Sequence, residues 1–256
     1  MRTLAASGYK EVVLTGIHLS SYGIDTGESL LELIQKVHEI DGIKRIRLGS
    51  LEPRIITEEF ASSIAALPKM CPHFHLSLQS GCNATLKRMN RRYSAEEYME
   101  KCDLLRKYFH NPALTTDVIV GFPMESEEDF QASYDFVKDI HFYETHIFKY
   151  SRRHGTKAAA MDGQLTEAVK AVRSDKMLEL HQIRATEYEN SLLGQKAEVL
   201  LEEKVEIEGA DYYLGHSREY VKVAVPVQEK YQVNDMLTVK GERFLQPHIL
   251  LGEDAE

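Results

Sequence analysis

The sequence predicts an α/β protein whose chain ends in a small antiparallel β-barrel, and three observations lead to that prediction. From residue 9 onward, short β-branched or apolar runs alternate with longer segments of helical period, the pattern of βα units that build a parallel sheet. After Gly194 the pattern changes to short strands with no helix between them, as in a small barrel. The chain of 256 residues is long enough for one large domain and one small one. We therefore expect a first domain at residues 1–189 and a second at residues 190–253.

Five runs in the first domain have the length and composition of buried parallel strands. They lie at Glu11–Thr15, Arg45–Ser50, His73–Gln79, Leu114–Phe122 and Thr145–Ser151. Segments of helical period follow them, at Leu30–Ile40, Thr57–Leu67, Ser94–Phe109, Ser126–Ile140 and Thr166–Leu193. Two helix starts are well marked, because Ser94 and Glu97 have capping-box spacing and Ser126 precedes three acidic residues.

The second domain consists of alternating segments at residues 196–203, 212–226, 236–244 and 248–252, which predicts an antiparallel barrel. Residues 190–256 contain seven Lys and Arg but thirteen Asp and Glu. Bulk charge therefore does not draw this domain to nucleic acid, and any RNA contact depends on particular side chains.

Composition excludes several classes of protein. The formal net charge of −9 argues against a protein that coats nucleic acid by bulk attraction. No apolar run approaches the ~20 residues that cross a bilayer and no secretory signal is visible, so we expect a cytoplasmic protein without a membrane partner. Cys71, Cys82 and Cys102 are widely spaced, which leaves no CxxC pair and no disulfide framework. We assign no metal ligand.

Loops rich in Gly, Ser, Pro or charged residues follow the predicted strands, and ligands of parallel α/β folds gather at such ends. The loop TGIHLSSYG offers backbone amides and hydroxyls to a polar ligand, although a plain βα turn is the simpler explanation. Glu52 in SLEPR fits a ribose or amino partner and a helix-entry turn equally. Asp117 lies in an otherwise apolar strand, where an unpaired charge is costly, and this favours a ligand.

Two basic groups also follow strands. A helix is expected after Gly81, and its early turns carry Lys87, Arg88, Arg91 and Arg92, which fit a bound carboxylate or phosphate or a solvated helix face. The segment YSRRHGT suits an adenine or phosphate neighbour, or an exposed loop. The residues alone leave both alternatives open.

Five strings, taken in order and spacing over nearly the whole chain, resemble the radical S-adenosylmethionine (SAM) methylthiotransferases. They are TGIHLSSYG, RIRLGSLEP, HLSLQSGCNATLKRMNRRYS, DVIVGFPMESEEDF and FKYSRRHGTKAA. The histidine of the first string and SLEP are most similar to the branch that methylthiolates N6-threonylcarbamoyladenosine beside the tRNA anticodon, rather than to the isopentenyladenosine or ribosomal-protein branches. The resemblance implies a partial (β/α)6 radical-SAM barrel followed by an RNA-contacting β-barrel of the TRAM type.

The resemblance also implies that the strand ends of the first domain wrap S-adenosylmethionine. The positions that match by motif are Thr15, Gly16, Ser50, Glu52, Gln79, Ser80, Arg92, Asp117 and Tyr150. In the second domain, contacts to the anticodon stem-loop of tRNA are expected from Arg218, Tyr220, Lys222 and Arg243. No residue is assigned as catalytic.

The family's chemistry uses a [4Fe–4S] cluster held by a CxxxCxxC loop after the first barrel strand, and a second cluster in an N-terminal domain. This sequence starts on the helix before what would be the second barrel strand, so we expect the first strand, that loop and the N-terminal domain to be absent. Three thiolates must converge on one cluster. Because Cys71 precedes a strand, Cys82 follows it and Cys102 lies mid-helix, we expect this chain alone to bind no cluster and to perform no radical chemistry.

Two functional hypotheses remain open at this point. The chain is the C-terminal portion of a tRNA methylthiotransferase and is inactive alone, or it is a non-catalytic tRNA-binding module or subunit that a separate N-terminal chain completes. An unrelated α/β-barrel enzyme would explain neither the β-rich tail nor the five strings together.

Overall fold

A computed structural model describes residues 1–255 of the chain, and its first part is built on five parallel strands. These are β1 (Glu11–Leu14), β2 (Arg45–Leu48), β3 (His73–His75), β4 (Ala113–Val120) and β5 (Glu144–Lys149). β1 pairs with β2, and β3, β4 and β5 pair in that order. Single bridges from Ile46 to Met70 and from Leu51 to Leu76 join the two groups. The strands thus follow one another in chain order, as expected of consecutive βα units.

Seven α-helices lie within residues 1–255. They are α1 (Arg2–Ala6), α2 (Leu30–His38), α3 (Glu58–Ala65), α4 (Asn83–Arg88), α5 (Ala95–Tyr108), α6 (Glu127–Ile140) and α7 (Glu167–Asn190). Capping boxes fix the starts of α2, α5 and α6, where a serine and an acidic residue three positions on exchange hydrogen bonds with each other's backbone N–H. None of these helices has both the length and the apolar composition needed to cross a membrane.

The two faces of the parallel strands differ in chemistry, because strand side chains alternate between faces. On one face, apolar side chains such as Ile46, Phe74 and Val118 are fully buried against helix residues, and they form the main core. We call the opposite side the inner face. It carries polar or charged side chains, namely Glu11, Arg45, Arg47, His73, His75, Asp117 and His146.

The second part of the chain is a closed barrel with its own apolar core. Its strands are β6 (Lys196–Ile207), β7 (Ala210–Ser217), β8 (Lys222–Pro226), β9 (Met236–Gln246) and β10 (Ile249–Asp254). They close in the order β10-β8-β7-β6-β9 around buried Val199, Val223 and Val239. The helix α7 ends at Asn190, so five residues separate the last helix from the barrel.

The barrel packs against the amino-terminal ends of the parallel strands, and two buried arginines hold this junction. Arg45, which is 0% exposed, donates to the carbonyl of His216 at 2.9 Å and to the Glu198 carboxylate at 3.0 Å. Arg47 donates to the Glu11 carboxylate at 2.8 Å and to a barrel carbonyl at 3.0 Å. Buried charges are stable only when they are paired and hydrogen-bonded. Both guanidinium groups are therefore paired at this junction, whereas the buried Nδ1 of His73, at the start of β3, has no partner among the described residues.

The barrel differs from its sequence-based description in two respects. The predicted single segment 212–226 is two strands, because the chain turns between β7 and β8 with Tyr220 at a φ of 70°. Neither glycine nor asparagine marks this turn. The prediction of a wholly antiparallel barrel is also wrong, since β8 and β10 pair in parallel. Five strands cannot alternate in direction around a closed ring, so one parallel pair is unavoidable.

The helix expected to carry four basic residues is shorter than predicted. α4 ends at Arg88, where the backbone N–H of Arg91 caps it by donating to the carbonyl of Leu86 at 2.9 Å. Asn90 takes the left-handed conformation, with a φ of 59°, that ends helices in this way. Arg91 and Arg92 consequently lie in the loop before α5 and not on a helix.

Candidate functional site

The chain beyond β3 leaves regular strand pairing and forms one wall of the candidate site. Gln79 has a φ of 72°, which is uncommon for a residue other than glycine. Its backbone N–H donates to the carbonyl of Asp117 at 2.8 Å, and its own carbonyl accepts from the N–H of Ile119 at 2.9 Å. These two bonds to β4 fix the unusual backbone of Gln79 at the end of the sheet.

A cavity of about 510 Å³ lies at the carboxyl ends of β3, β4 and β5. Gln79, Asp117 and Tyr150 line it together with the apolar side chains of Ile119 and Phe148. The size and the mixture of apolar walls with a few polar groups are typical of a small-molecule site. Three of the nine residues predicted to hold the cofactor therefore share one cavity.

Tyr150 lines this cavity, and its hydroxyl is an orphan. It is buried, and it has no hydrogen-bond partner among the described residues. Its ring packs edge-to-face on Phe122 at 5.2 Å and lies 5.5 Å from the ammonium of Lys170. Buried polar groups are nearly always satisfied, so an unpaired one calls for an explanation.

Asp117 is the charged group of the cavity. Burial alone would raise the pKa of Asp117, but the His75 ring, 3.4 Å away, and the positive charges near the carboxylate hold the pKa below its usual value. Those charges belong to His75, His146 and Arg91. Asp117 is thus an ionised acceptor at neutral pH, which suits a hydroxyl or amino group of a ligand.

Thr15 and Gly16 line a separate cavity of about 410 Å³ at the end of β1. Between the two cavities, the Ser50 hydroxyl lies 2.8 Å from that of Ser77, and this contact ties the end of β2 to the chain after β3. The exposed Glu52 carboxylate lies 4.0 Å from His18 Nδ1. These four predicted positions therefore follow the edge of the sheet without entering the larger cavity.

The remaining two predicted positions differ from each other. Ser80 is 1% exposed, and its hydroxyl accepts a hydrogen bond from the backbone N–H of Cys82 at 3.2 Å, which stabilises the turn before α4. Arg92 is exposed in the loop after α4. Its neighbour Arg91 is the arginine whose charge acts on Asp117.

Sequence reasoning missed the two inner-face histidines His75 and His146. Their ring centroids are 5.7 Å apart, and His75 Nε2 lies 3.4 Å from an Asp117 oxygen. A signal was present, because His73 and His75 alternate with apolar residues in β3 and so must share a face. It could not be interpreted without knowing which residues of β4 and β5 stand beside them.

The cysteines do not form a site. Cys71, Cys82 and Cys102 are all buried, and within residues 1–255 no group of three metal-ligating side chains contains a cysteine. Burial raises the pKa of Cys71 to about 11 and that of Cys102 to about 12, which disfavours the thiolates that bind iron. The Cys82 thiol donates to Asp129 at 3.3 Å. These residues do not fit a [4Fe–4S] cluster, which takes thiolate ligands that converge.

The four residues expected to contact RNA fall into two groups. Arg218 lies in the junction, where it donates to the carbonyl of Met70 at 2.7 Å, and the ring of Tyr220 lies 4.6 Å from the guanidinium of Arg47. Lys222 and Arg243 are exposed on the barrel. The first pair thus has structural partners, whereas the second pair faces solvent.

A comparison with protein families shows which family the parallel-strand part of the chain matches. The family model of the radical SAM superfamily matches residues 1–137, which include β1 to β4 and α1 to α5. The chain belongs to the radical SAM superfamily. Methylornithine synthase, a solved structure, resembles it with a TM-score of 0.51 at 14% identity, covering 72% of this chain and 51% of that one. That likeness concerns the fold alone.

Curated relatives of this radical SAM chain are named as tRNA-modifying enzymes. Threonylcarbamoyladenosine tRNA methylthiotransferase MtaB of Bacillus subtilis is 39% identical over 223 residues, which are 86% of this chain and 49% of that protein. The tRNA-2-methylthio-N(6)-dimethylallyladenosine synthase of Thermoanaerobacter pseudethanolicus is 42% identical over 204 residues, which are 79% of this chain and 43% of that protein. The chain spans about half the length of these relatives. Their similar identities do not separate the two branches.

Proposed function

We propose that this chain is the C-terminal, cofactor-holding and RNA-contacting portion of a tRNA methylthiotransferase, acting on N6-threonylcarbamoyladenosine beside the anticodon. The observation that carries the proposal is the cavity at the ends of β3 to β5, which is lined by Gln79, by the ionised Asp117 and by Tyr150, whose hydroxyl is an orphan. The names of the curated relatives and the resemblance of TGIHLSSYG and SLEP support the choice of reaction and branch.

The cavity residues fit S-adenosylmethionine, which carries hydroxyl, amino and carboxylate groups beside an apolar adenine face. Asp117 accepts hydrogen bonds from hydroxyl or amino groups, and Tyr150 donates its unpaired O–H. Ile119 and Phe148 supply apolar contact for the base. The chemistry that this cofactor supplies when bound is methyl donation and radical formation. The protein's part is to bind and orient it and to limit water around it.

The other motif positions extend this binding surface along the sheet edge. Thr15, Gly16, Ser50 and Glu52 lie at the ends of β1 and β2, beside the larger cavity rather than in it. We place the target nucleoside or the far end of the cofactor along this edge. Ser80 supports the turn that positions Gln79, and Arg92 stands at the rim.

We further propose that this chain alone ligates no [4Fe–4S] cluster, since its buried cysteines do not converge. Anaerobic reconstitution with iron and sulfide tests this, and the expected result is iron well below stoichiometric. Near-stoichiometric cluster iron would contradict it. The alternative function is a non-catalytic tRNA-binding module or a subunit that a separate N-terminal chain completes. That function also requires no cluster in this chain, so near-stoichiometric cluster iron would contradict it as well.

The barrel, which we assign to the TRAM type, is proposed to contact the anticodon stem-loop through exposed side chains, with Lys222 and Arg243 as the best placed. Filter binding of the chain to tRNA across a salt series tests this contact. The observed affinity should fall with rising salt, because phosphate contacts release counterions. No measurable binding at low salt would count against the assignment.

The reaction is tested in the organism that encodes the chain. Deleting the gene should remove the methylthio group from N6-threonylcarbamoyladenosine in total tRNA, as measured by nucleoside mass spectrometry, while the unthiolated nucleoside accumulates. Restoring the gene should restore the modification, restoring it with Asp117→Asn should not, and the exposed α7 change Asp175→Asn serves as a matched control. Loss of methylthio groups from isopentenyladenosine instead would move the protein to the other branch. Unchanged nucleosides would refute the proposal.

A further inference from the structure

Three side chains on the inner face form a cluster that the cofactor cavity does not explain. His75 on β3, Asp117 on β4 and His146 on β5 each offer one metal-ligating atom, and these atoms all lie within 4.8 Å of one another. Asp117 stands opposite His146 in the strand register, and His75 stands opposite Thr115, two residues before Asp117. The three groups therefore occupy neighbouring positions on one face of a sheet, where the backbone fixes their spacing.

The distance between His75 and Asp117 is poorly suited to a hydrogen bond. His75 Nε2 lies 3.4 Å from Asp117 Oδ2. A charge-assisted N–H···O bond would draw the two atoms to about 2.7–2.9 Å. Metal bonds of about 2.0–2.1 Å in a tetrahedral arrangement place two ligand atoms about 3.3 Å apart. The observed distance of 3.4 Å between Nε2 and Oδ2 matches the distance between two ligand atoms of one such metal ion.

The second nitrogen of His75 is already engaged. Nδ1 lies 2.9 Å from the hydroxyl oxygen of Thr115, a residue that is 2% exposed. Histidines that bind metals usually donate the N–H of their other ring nitrogen to an oxygen, and this bond fixes the ring and its tautomer. With Nδ1–H donating to Thr115, the lone pair of Nε2 points to the cluster.

We propose that His75, Asp117 and His146 form a binding site for a divalent first-row transition metal ion such as Zn²⁺. Two imidazole nitrogens and one carboxylate oxygen suit this class of ion better than Mg²⁺ or Ca²⁺, which prefer oxygen ligands alone. Three protein ligands leave at least one coordination position for water or a ligand atom. His146 is exposed, so that position faces the open inner side of the sheet.

The site is independent of the cluster chemistry proposed for the family, since no cysteine takes part. It shares only Asp117 with the cofactor cavity, and its two histidines do not line that cavity. Metal binding and cofactor binding can therefore be measured separately on the same chain. A chain that binds no metal could still bind the cofactor, and a chain that binds no cofactor could still bind metal.

The test uses the untagged full chain, freed of metal with a chelator and titrated with Co²⁺, which absorbs visible light when bound by histidine. We expect one equivalent to bind, with an absorption that Zn²⁺ abolishes by displacement. His146→Asn should weaken binding by at least about tenfold, as should Asp117→Asn. Thr115→Val should weaken binding less, because it removes only the partner of Nδ1.

His110→Asn is the matched control, since His110 is exposed in the loop after α5 and is not one of the three cluster residues. It should bind Co²⁺ like the unaltered chain. Equal affinities of the His146→Asn, Asp117→Asn and His110→Asn proteins would overturn the proposal, as would the lack of any saturable one-equivalent binding. Thermal unfolding by circular dichroism checks each variant, and Asp117→Asn serves if His146→Asn does not fold.

Discussion

The two ends of the inner face carry similar polar side chains but differ in how these are satisfied. At the amino-terminal end, Arg45 and Arg47 reach the Glu11 carboxylate and carbonyls of the barrel, so the buried guanidinium groups are paired. Toward the carboxyl-terminal end, the hydroxyl of Tyr150 has no partner among the described residues, and His75 stands 3.4 Å from Asp117. The first arrangement joins the parallel strands to the barrel, whereas the second leaves a buried hydroxyl without a partner among the described residues.

Burial of polar groups alone therefore does not indicate function. Both sets alternate with apolar residues along strands and look alike in sequence. Complete pairing indicates a structural role, because a buried charge without a partner costs several kcal/mol. A buried polar group without a partner calls for an explanation, which can be a ligand, an ordered water or ion, or local strain. Substitutions at the two ends should therefore affect different measurements.

The largest effect on stability is expected from Glu11→Gln in the junction. The change keeps the shape of the side chain but removes the charge that pairs with two buried arginines, Arg45 and Arg47. We expect a loss of about 3 kcal/mol in the free energy of unfolding, measured by urea denaturation. Glu179→Gln, on the exposed side of α7, is the control and should change stability by less than about 0.5 kcal/mol. Equal unfolding midpoints for the two variants would show that the junction is not a paired network.

A smaller loss of stability is expected from Arg218→Gln. This arginine was predicted to contact RNA, yet its guanidinium donates to the carbonyls of Pro68 and Met70 across the junction. Its replacement should cost about 1–2 kcal/mol in the free energy of unfolding, because two carbonyls lose a charged donor. The salt dependence of tRNA binding should stay unchanged in filter-binding assays. A reduced salt slope without loss of stability would return Arg218 to the RNA surface.

Tyr150→Phe and Tyr98→Phe form a pair that separates the two kinds of buried hydroxyl. The Tyr98 hydroxyl is fully buried and donates to the carbonyl of Leu76 at 2.8 Å, so its removal should cost about 1 kcal/mol of stability. The Tyr150 hydroxyl has no partner among the described residues, so its removal should leave stability unchanged or slightly raised. Binding of S-adenosylmethionine, measured by calorimetry, should weaken roughly tenfold in Tyr150→Phe, equivalent to about 1.4 kcal/mol, and stay the same in Tyr98→Phe. A loss of stability in Tyr150→Phe without a loss of S-adenosylmethionine affinity would mean that the Tyr150 hydroxyl has a structural role.

Much of the fold follows from local sequence. The βα alternation and the helical period predicted the five parallel strands and the helices α2, α3, α5, α6 and α7, although β3 ends at His75 and not at the predicted Gln79. The serine capping residues marked the starts of α5 and α6. Local signals failed at Tyr220, where no glycine or asparagine marks the turn, and the signal of Asn90, a residue type that favours the left-handed conformation, was overlooked. Tyr220 and Asn90 both take positive φ values, and each ends an element that the sequence pattern would have continued.

The candidate site was less predictable than the fold. Asp117 could be suspected because a charge in an apolar strand needs a partner. The period of two along a strand shows which side chains share a face, but not what stands opposite them. The barrel partners of Arg45 lie more than 150 residues away in the chain, and His146 meets Asp117 only through the register of β4 and β5. Such contacts depend on how the elements assemble, which local pattern does not encode.

The smallest effect is expected from Lys222→Gln on the exposed surface of the barrel. The side chain is solvent-exposed, so its neutralisation should change the free energy of unfolding by less than about 0.5 kcal/mol. If Lys222 contacts a phosphate, the slope of log affinity against log salt for tRNA binding should fall by about 0.7–0.9, because one fewer counterion is released. Lys36→Gln, on the exposed side of α2, is the matched control and should leave the slope unaltered. Identical slopes in both variants would place the RNA on another face of the barrel. The distinction between junction residues with structural partners and exposed residues that contact RNA would then have to be drawn at different residues.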